Sequence, residues 1–89
     1  DNVTHGLQTP SIQAAFLASM DVHKTVGRNV RRLRKAKGWT QEDLAEISGL
    51  HRVYISGIET GRRNITISVL DRIAIALGVE AAHLLKTDE

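Results

Sequence analysis

The chain has 89 residues, of which 42% are hydrophobic and 25% are charged, so it has the length of one domain and the composition of a folded one. It contains no cysteine, which excludes disulfides, a thiol nucleophile and a thiolate zinc site. No apolar stretch approaches the roughly 18 to 20 residues that span a bilayer. We therefore expect a cytoplasmic protein without a membrane partner.

The net charge of +2 conceals an uneven distribution along the chain. Residues 24–63 carry ten basic and four acidic side chains, whereas residues 1–23 and 64–89 are each net acidic. A localised basic block is typical of nucleic-acid binding, because cations that neutralise phosphates release condensed counterions. The alternative is a solvated, arginine-rich helix face without a ligand, and charge alone favours neither interpretation.

The first predicted helix lies in the N-terminal segment 1–23. Thr9 and Pro10 are typical of an N-cap followed by a proline at the first helical position. Ile12, Phe16 and Met20 then recur at a spacing of four residues, which indicates the apolar side of a short amphipathic helix. We interpret these three side chains as part of a core or of a subunit contact rather than of a ligand pocket.

Two short helices are predicted in the middle of the chain. A basic helix ends at Gly38, and Thr40 then caps the next helix, which Gly49 ends after barely two turns. The following helix covers residues 52–59 and stops at Gly61. Two short helices separated by about three residues around a glycine are typical of a helix-turn-helix.

Two further helices complete the predicted set. Thr66 caps a helix that Gly78 closes, and a last short helix covers about residues 80–86. Ile47, in the first motif helix, and Ile67, in the helix after Thr66, are assigned to the buried sides of their helices. Because no stretch alternates with period two for long enough to indicate a sheet, the predicted fold class is all-α.

Several runs with fixed spacing lie within this helical region. They are Arg31-Arg32-Leu33-Arg34, Gly38 to Ala45, Ser48-Gly49-Leu50, Tyr54-Ile55-Ser56, Ile58 to Arg63, Ile73-Ala74 and Ala76 to Val79. Together they resemble the Cro/cI-type helix-turn-helix family, which includes lambda-type repressors, xenobiotic-response-element regulators and restriction–modification controller proteins. The resemblance implies a five-helix, lambda-repressor-like DNA-binding domain, here with an additional short N-terminal helix. We predict an N-terminal extension over 1–23, the helix-turn-helix domain over 24–86 and a tail over 87–89.

The resemblance also implies that the second motif helix reads base edges in the major groove of double-stranded DNA. The reading residues are expected at the N-terminal end of this helix and one turn after it: His51, Arg52, Val53, Tyr54, Ser56 and Gly57. Arg52 can form a bidentate contact with guanine, or remain a plain surface residue, and Val53 can meet a thymine methyl group. Gly57 departs from the family, which often has a long polar side chain there. It either lets backbone and DNA approach closely or makes no base contact.

Phosphate contacts are predicted on the rim of the same surface. Gln41 begins the first motif helix, where its side chain and the helix N-terminus can both meet a phosphate. Further candidates lie in the polar loop after the reading helix: Thr60, Arg62, Arg63 and Asn64. The two arginines are the strongest of them. In the family pattern Arg34 and Glu59 form an internal ion pair, so we interpret Arg34 as structural rather than as a DNA contact.

A homodimer is predicted because one short reading helix makes too few base contacts for specific binding. The resemblance implies a palindromic operator whose half-sites lie about one helical turn, roughly 34 to 36 Å, apart. The last two helices and the N-terminal helix supply the candidate interface residues, between which the sequence does not choose: Ile75, Leu84, Leu85, Phe16 and Met20.

The sequence carries no pattern of a catalytic or metal site. The four histidines have no spacing that places two on one helical face beside a carboxylate, and there is no phosphate-binding glycine loop. We therefore predict no enzyme activity, no cofactor, no metal and no small-molecule substrate. The predicted function is transcriptional regulation on the nucleoid, as a repressor or a restriction–modification controller-like protein. The alternatives are an antitoxin or protein-interaction module on the same fold, and a fragment of a catalytic subunit.

Overall fold

The computed structural model describes residues 12–15 and 22–87, and these residues contain helices and no strand. The helices are α1 (Val22–Ala36), α2 (Gln41–Ser48), α3 (Arg52–Glu59), α4 (Ile67–Leu77) and a 3₁₀ helix (Ala81–Leu85). Residues 12–15 are also helical and exposed, and Ile12 is 67% exposed, so it is not part of the core. The all-α prediction is confirmed. Phe16 and Met20, predicted on the first helix, lie outside the described residues.

The motif helices begin and end where local chemistry dictates. The Thr40 hydroxyl accepts a hydrogen bond from the Asp43 amide at 3.0 Å, and the Asp43 carboxylate accepts one from the Thr40 amide at 2.8 Å. This capping box satisfies amides at the start of α2 that have no partner within the helix. At the other end Gly49 adopts a left-handed φ of 75°, a conformation that glycine reaches without steric cost. The helix is thereby limited to eight residues.

The core draws apolar side chains from every element between α1 and the 3₁₀ helix. The largest fully buried side chains are Val30, Leu44, Ile55, Ile58, Ile73, Leu77 and Leu84. Helix α1 packs against α3, α4 and the 3₁₀ helix, while α2 packs against α3 and α4. The core therefore holds both motif helices against the rest of the domain.

Three assignments made from the pattern of apolar residues are wrong. Leu84, a candidate subunit contact, is 0% exposed, because the 3₁₀ helix inserts it between α1 and α4. Ile47 is 51% exposed, because Leu44, Ala45 and Ser48 form the buried side of the two-turn helix α2. Ile67 is 85% exposed at the first position of α4, ahead of the turns that reach the core. The predicted last short helix is present as a 3₁₀ helix.

One polar residue and one glycine of α1 determine how the helices pack. Buried Asn29 donates both hydrogens of its side-chain amide, to the Leu84 carbonyl at 2.8 Å and to the Lys86 carbonyl at 2.9 Å. It thus ties the C-terminal segment to the centre of α1. Gly27 faces α3, where a Cβ atom would overlap the Ile58 carbonyl oxygen and lie 2.7 Å from that of Glu59. Only a glycine lets the two helices cross this closely.

Candidate nucleic-acid interface

Helix α3 has one side in the core and one side on the surface. Ile55 and Ile58 are 0% and 1% exposed, whereas Arg52 and Val53 are exposed. Along the same outward stripe Ser56 and Gly57 are half-buried, one turn further on. The outward stripe of α3, defined as Arg52, Val53, Ser56 and Gly57, is therefore held by a helix whose opposite side is fixed in place.

A bidentate ion pair fixes the C-terminal end of α3 to α1. Arg34 Nε lies 2.6 Å from Oε2 of Glu59, and its Nη2 lies 3.0 Å from Oε1. The side chains are only 8% and 3% exposed. The hydrogen bonds to Glu59 raise the pKa of Arg34 above its ordinary value, while burial acts in the opposite direction. Arg34 also donates to the Trp39 carbonyl at 2.7 Å, so its guanidinium is committed to the interior.

The same glutamate also holds the first residue of α2. Gln41 Nε2 donates to Glu59 Oε1 at 3.1 Å, so one carboxylate joins α1, α2 and α3. The Gln41 side chain is half-buried at the N-terminus of its helix. It lines an open cavity of about 420 Å³ together with Arg34, Thr40, Glu42 and Arg52. The sequence did not predict this third hydrogen bond, because nothing in the spacing indicates which acceptor Gln41 meets.

The loop after α3 folds back onto the end of that helix. The backbone amides of Arg62 and Arg63 donate to the Gly57 carbonyl at 2.9 and 3.3 Å. The Thr60 hydroxyl donates to the carbonyls of Ser56 and Gly57 at 3.2 and 3.1 Å. Arg62, Arg63 and Asn64 are exposed beside the outward stripe of α3. The predicted reading and anchoring residues are thus close neighbours on one side of the domain.

The Arg63 side chain contacts two residues of α3. Its guanidinium carbon lies 5.3 Å from the centre of the Tyr54 ring, within the distance of a cation–π contact. A Cβ atom at Gly57 would overlap Arg63 Cγ and lie 3.1 Å from Nε. The structure therefore gives Gly57 a role that the sequence left open: it leaves the room that the Arg63 side chain occupies.

Other kinds of site were also sought in the described part of the chain. Residues 12–15 and 22–87 contain no group of three or more His, Cys, Asp or Glu side chains placed to hold a metal ion. Within the same residues, no helix is long and apolar enough to cross a membrane.

Two short helices joined by a glycine turn, with the outer side of the second helix exposed among arginines, define a helix-turn-helix DNA-binding protein. A family model described as helix-turn-helix matches residues 30–84. The chain belongs to this family, and the Cro/cI-type resemblance is confirmed. The HTH-type transcriptional regulator y4dJ of Sinorhizobium fredii is 48% identical over 71 residues, which cover 79% of this chain and 92% of that protein.

Two further relatives are described as control proteins. Control protein C.SmaI of Serratia marcescens is 44% identical over 71 residues, covering 80% of this chain and 84% of the relative. The crystal structure of the restriction-modification controller protein C.AhdI from Aeromonas hydrophila is 42% identical and superposes with a TM-score of 0.68. The superposition covers 70% of this chain and 94% of that one. The chain is a DNA-binding transcriptional regulator of lambda-repressor-like fold, in a family of regulators rather than enzymes.

Proposed function

We propose that two copies of this chain bind a palindromic DNA operator, each inserting α3 lengthwise into the major groove of one half-site. The observation that carries the proposal is that α3 is buried on one side and exposed on the other. Its inner side is fixed by the core and by Glu59, and its outer side presents Arg52 and Val53 to solvent. A helix with rigid support and a free polar side fits the width and depth of the major groove.

The base contacts are proposed for the N-terminal half of α3. Arg52 donates two hydrogen bonds to the O6 and N7 atoms of guanine, because its planar guanidinium matches that pair of acceptors. Val53, at 56% exposure, meets a thymine methyl group. The residues proposed to surround these two contacts are His51, Tyr54, Ser56 and Gly57.

Phosphate contacts are proposed at the start of α2 and in the loop after α3. The Glu59 carboxylate holds Gln41 at the α2 N-terminus, where a phosphate can meet both its side-chain amide and the free backbone amides. We also propose that Thr60, Arg62 and Asn64 contact the DNA backbone on the other side of α3. These contacts set the position of the reading helix without reading sequence.

The proposed dimer doubles a contact area that is small in one protomer. Ile75 is 70% exposed and Leu85 is 45% exposed, which supports them as subunit contacts. Ile75 lines an open groove of about 410 Å³ between α2 and α4, which Ile47 also borders. Phe16 and Met20 stay candidates on the N-terminal segment. The half-sites are expected about 34 to 36 Å apart, which is one turn of B-DNA.

The proposed output is transcriptional repression or restriction–modification control, in line with the described functions of the relatives. We assign this activity to residues 24–86, acting in the cytoplasm on the nucleoid by occupying DNA, with no catalytic step, cofactor or small-molecule substrate. The same fold could instead serve as an antitoxin or protein-interaction module, in which case duplex affinity would depend little on salt. Phosphate contacts make affinity fall with a log–log slope of about 0.9 per contact.

Selection of bound duplexes from a random pool tests the proposal. The full chain should enrich a palindrome with half-sites one helical turn apart, and sedimentation of the selected duplex should show two protein chains per operator. Enrichment of a single, non-repeated half-site would contradict the dimer. No enrichment, together with a salt-independent affinity, would contradict DNA reading itself.

A further inference from the structure

At Gly57, the surface of α3 is covered by a side chain from the loop that follows the helix. Gly57 lies on the outward stripe, one helical turn after Val53, and has no side chain of its own. Arg63 occupies the space where a Cβ atom of residue 57 would lie. Such a Cβ atom would overlap Arg63 Cγ and lie 3.4 Å from Arg63 Cδ. The Arg63 side chain thus lies on the outward stripe of α3 although its backbone belongs to the following loop.

Two further contacts hold Arg63 on this surface. Its backbone amide donates to the Gly57 carbonyl at 3.3 Å, which fixes the start of the side chain beside the helix. Its guanidinium carbon lies over the Tyr54 ring at 5.3 Å from the ring centre. Tyr54 and Gly57 are three residues apart and therefore neighbours on the helix surface. Arg63 spans both, so backbone, aliphatic stem and charged group are all positioned on α3.

A guanidinium over an aromatic ring is well suited to hydrogen bonding at its edge. A planar guanidinium over a ring can stack on it, which leaves the N–H donors at its edge available for hydrogen bonds. The side chain then loses less conformational entropy when a ligand binds, because its contacts with α3 already restrict its rotamers. A pair of parallel N–H donors matches the O6 and N7 acceptors of guanine in the major groove. A phosphate can accept from the same pair of donors, so it is the position of Arg63 against Gly57 on the outward stripe that favours a base edge.

We propose that Arg63 is a base-reading residue, which replaces from the loop the side chain that α3 lacks at Gly57 and recognises the major-groove edge of a guanine. The inference rests on the proposed insertion of α3 into the major groove. It changes the role of Arg63 from a phosphate anchor to a determinant of operator specificity. Arg52 and Arg63 then read two different positions of each half-site, from the first turn and from the second turn of the same helix.

Duplex selection with matched variants of the full chain tests this role. Arg63→Ala should lose the preference for one base pair in each half-site and lower the ratio of operator to random-duplex affinity about tenfold or more. Arg63→Lys, which keeps the charge but lacks the planar fork, should lose the same preference while keeping affinity for random duplex. Arg62→Ala is the matched comparison: it removes an arginine from the same loop, and should weaken binding to operator and random duplex by the same factor without changing the selected sequence.

Gly57→Ala provides an independent variant that leaves Arg63 in the chain. The new methyl group must displace the Arg63 side chain, so the same base preference should weaken as in Arg63→Ala. Alanine is also the better helix former, so Tm should not fall. An Arg63→Ala variant that binds operator and random duplex weaker by the same factor would overturn the proposal, as would an unchanged selected operator. If the unaltered chain selected no operator at all, the proposed function itself would have failed.

Discussion

The two sides of helix α3 differ in how firmly neighbouring residues hold their side chains. On the inner side, Ile55 and Ile58 are enclosed by the core, and Glu59 receives hydrogen bonds from Arg34 and Gln41. On the outer side, Arg52 is exposed at the edge of an open cavity, and no residue among 12–15 and 22–87 forms a hydrogen bond with its side chain. The inner side can change only at a large cost in stability, whereas the outer side can change with little cost. A regulator can therefore acquire a new operator without a new fold.

The largest effect is expected from Glu59→Ala on the inner side. This variant leaves the Arg34 guanidinium buried without its counter-ion, which typically costs about 3 to 5 kcal/mol of unfolding free energy. It also releases Gln41. Urea denaturation measures the change. Glu46→Ala, at an exposed position of α2, is the control and should change the unfolding free energy by less than about 0.5 kcal/mol. A loss below about 1 kcal/mol in Glu59→Ala would contradict the structural role of the ion pair.

The next effect is expected from Gly27→Ala, on the face of α1 against α3. A methyl group there meets backbone carbonyl oxygens, which cannot turn aside, so the helices must separate. Overpacking of this kind typically costs about 1 to 3 kcal/mol, although alanine favours the helix by about 1 kcal/mol. Thermal unfolding should show a lower Tm for Gly27→Ala and no lower Tm for Gly57→Ala. Equal responses of the two variants would show that α1 and α3 do not pack as described.

On the outer side, Arg52→Ala should separate specificity from stability. The loss of one bidentate guanine contact corresponds to about 1 to 3 kcal/mol of discrimination at one operator position. The unfolding free energy should change by less than about 0.5 kcal/mol, because Arg52 is exposed. Duplex selection and urea denaturation of the same preparation give both values. An unchanged selected operator would remove Arg52 from the reading surface.

The smallest effect is expected from Arg62→Ala. A phosphate contact contributes equally to every duplex, so affinity for operator and random DNA should fall together. The log–log dependence of affinity on salt should become shallower by about 0.9 for one lost contact. Titrations at several salt concentrations measure this slope. A slope identical to that of the unaltered chain would place Arg62 away from the DNA backbone.

The sequence predicts the local part of this structure well. Thr40, Gly49 and Thr66 mark helix ends through hydrogen bonds and backbone conformations that involve only near neighbours. Burial is harder to predict in short helices, because a small rotation of the helix about its axis changes which residues face the core. Ile47 lies in the two-turn helix α2 and Leu84 in the five-residue 3₁₀ helix. The exposure of each depends on which elements pack beside it, and the spacing of apolar residues does not show this.

The candidate site was predictable only in outline. The Arg34–Glu59 pair joins residues 25 positions apart, and the family pattern rather than the spacing pointed to it. Nothing in the sequence indicates the hydrogen bond from Gln41 to Glu59, or the two hydrogen bonds from Asn29 to the C-terminal segment. The room at Gly57 has meaning only beside the Arg63 side chain, which a linear pattern does not place.

Chemical protection of guanine N7 on a selected operator shows whether α3 lies in the major groove, because N7 faces that groove. Bound protein should protect guanines in two half-sites one helical turn apart, and Arg52→Ala should remove protection at one guanine of each half-site. Unprotected N7 atoms on a fully bound operator would contradict this placement, since α3 could not then lie in the major groove.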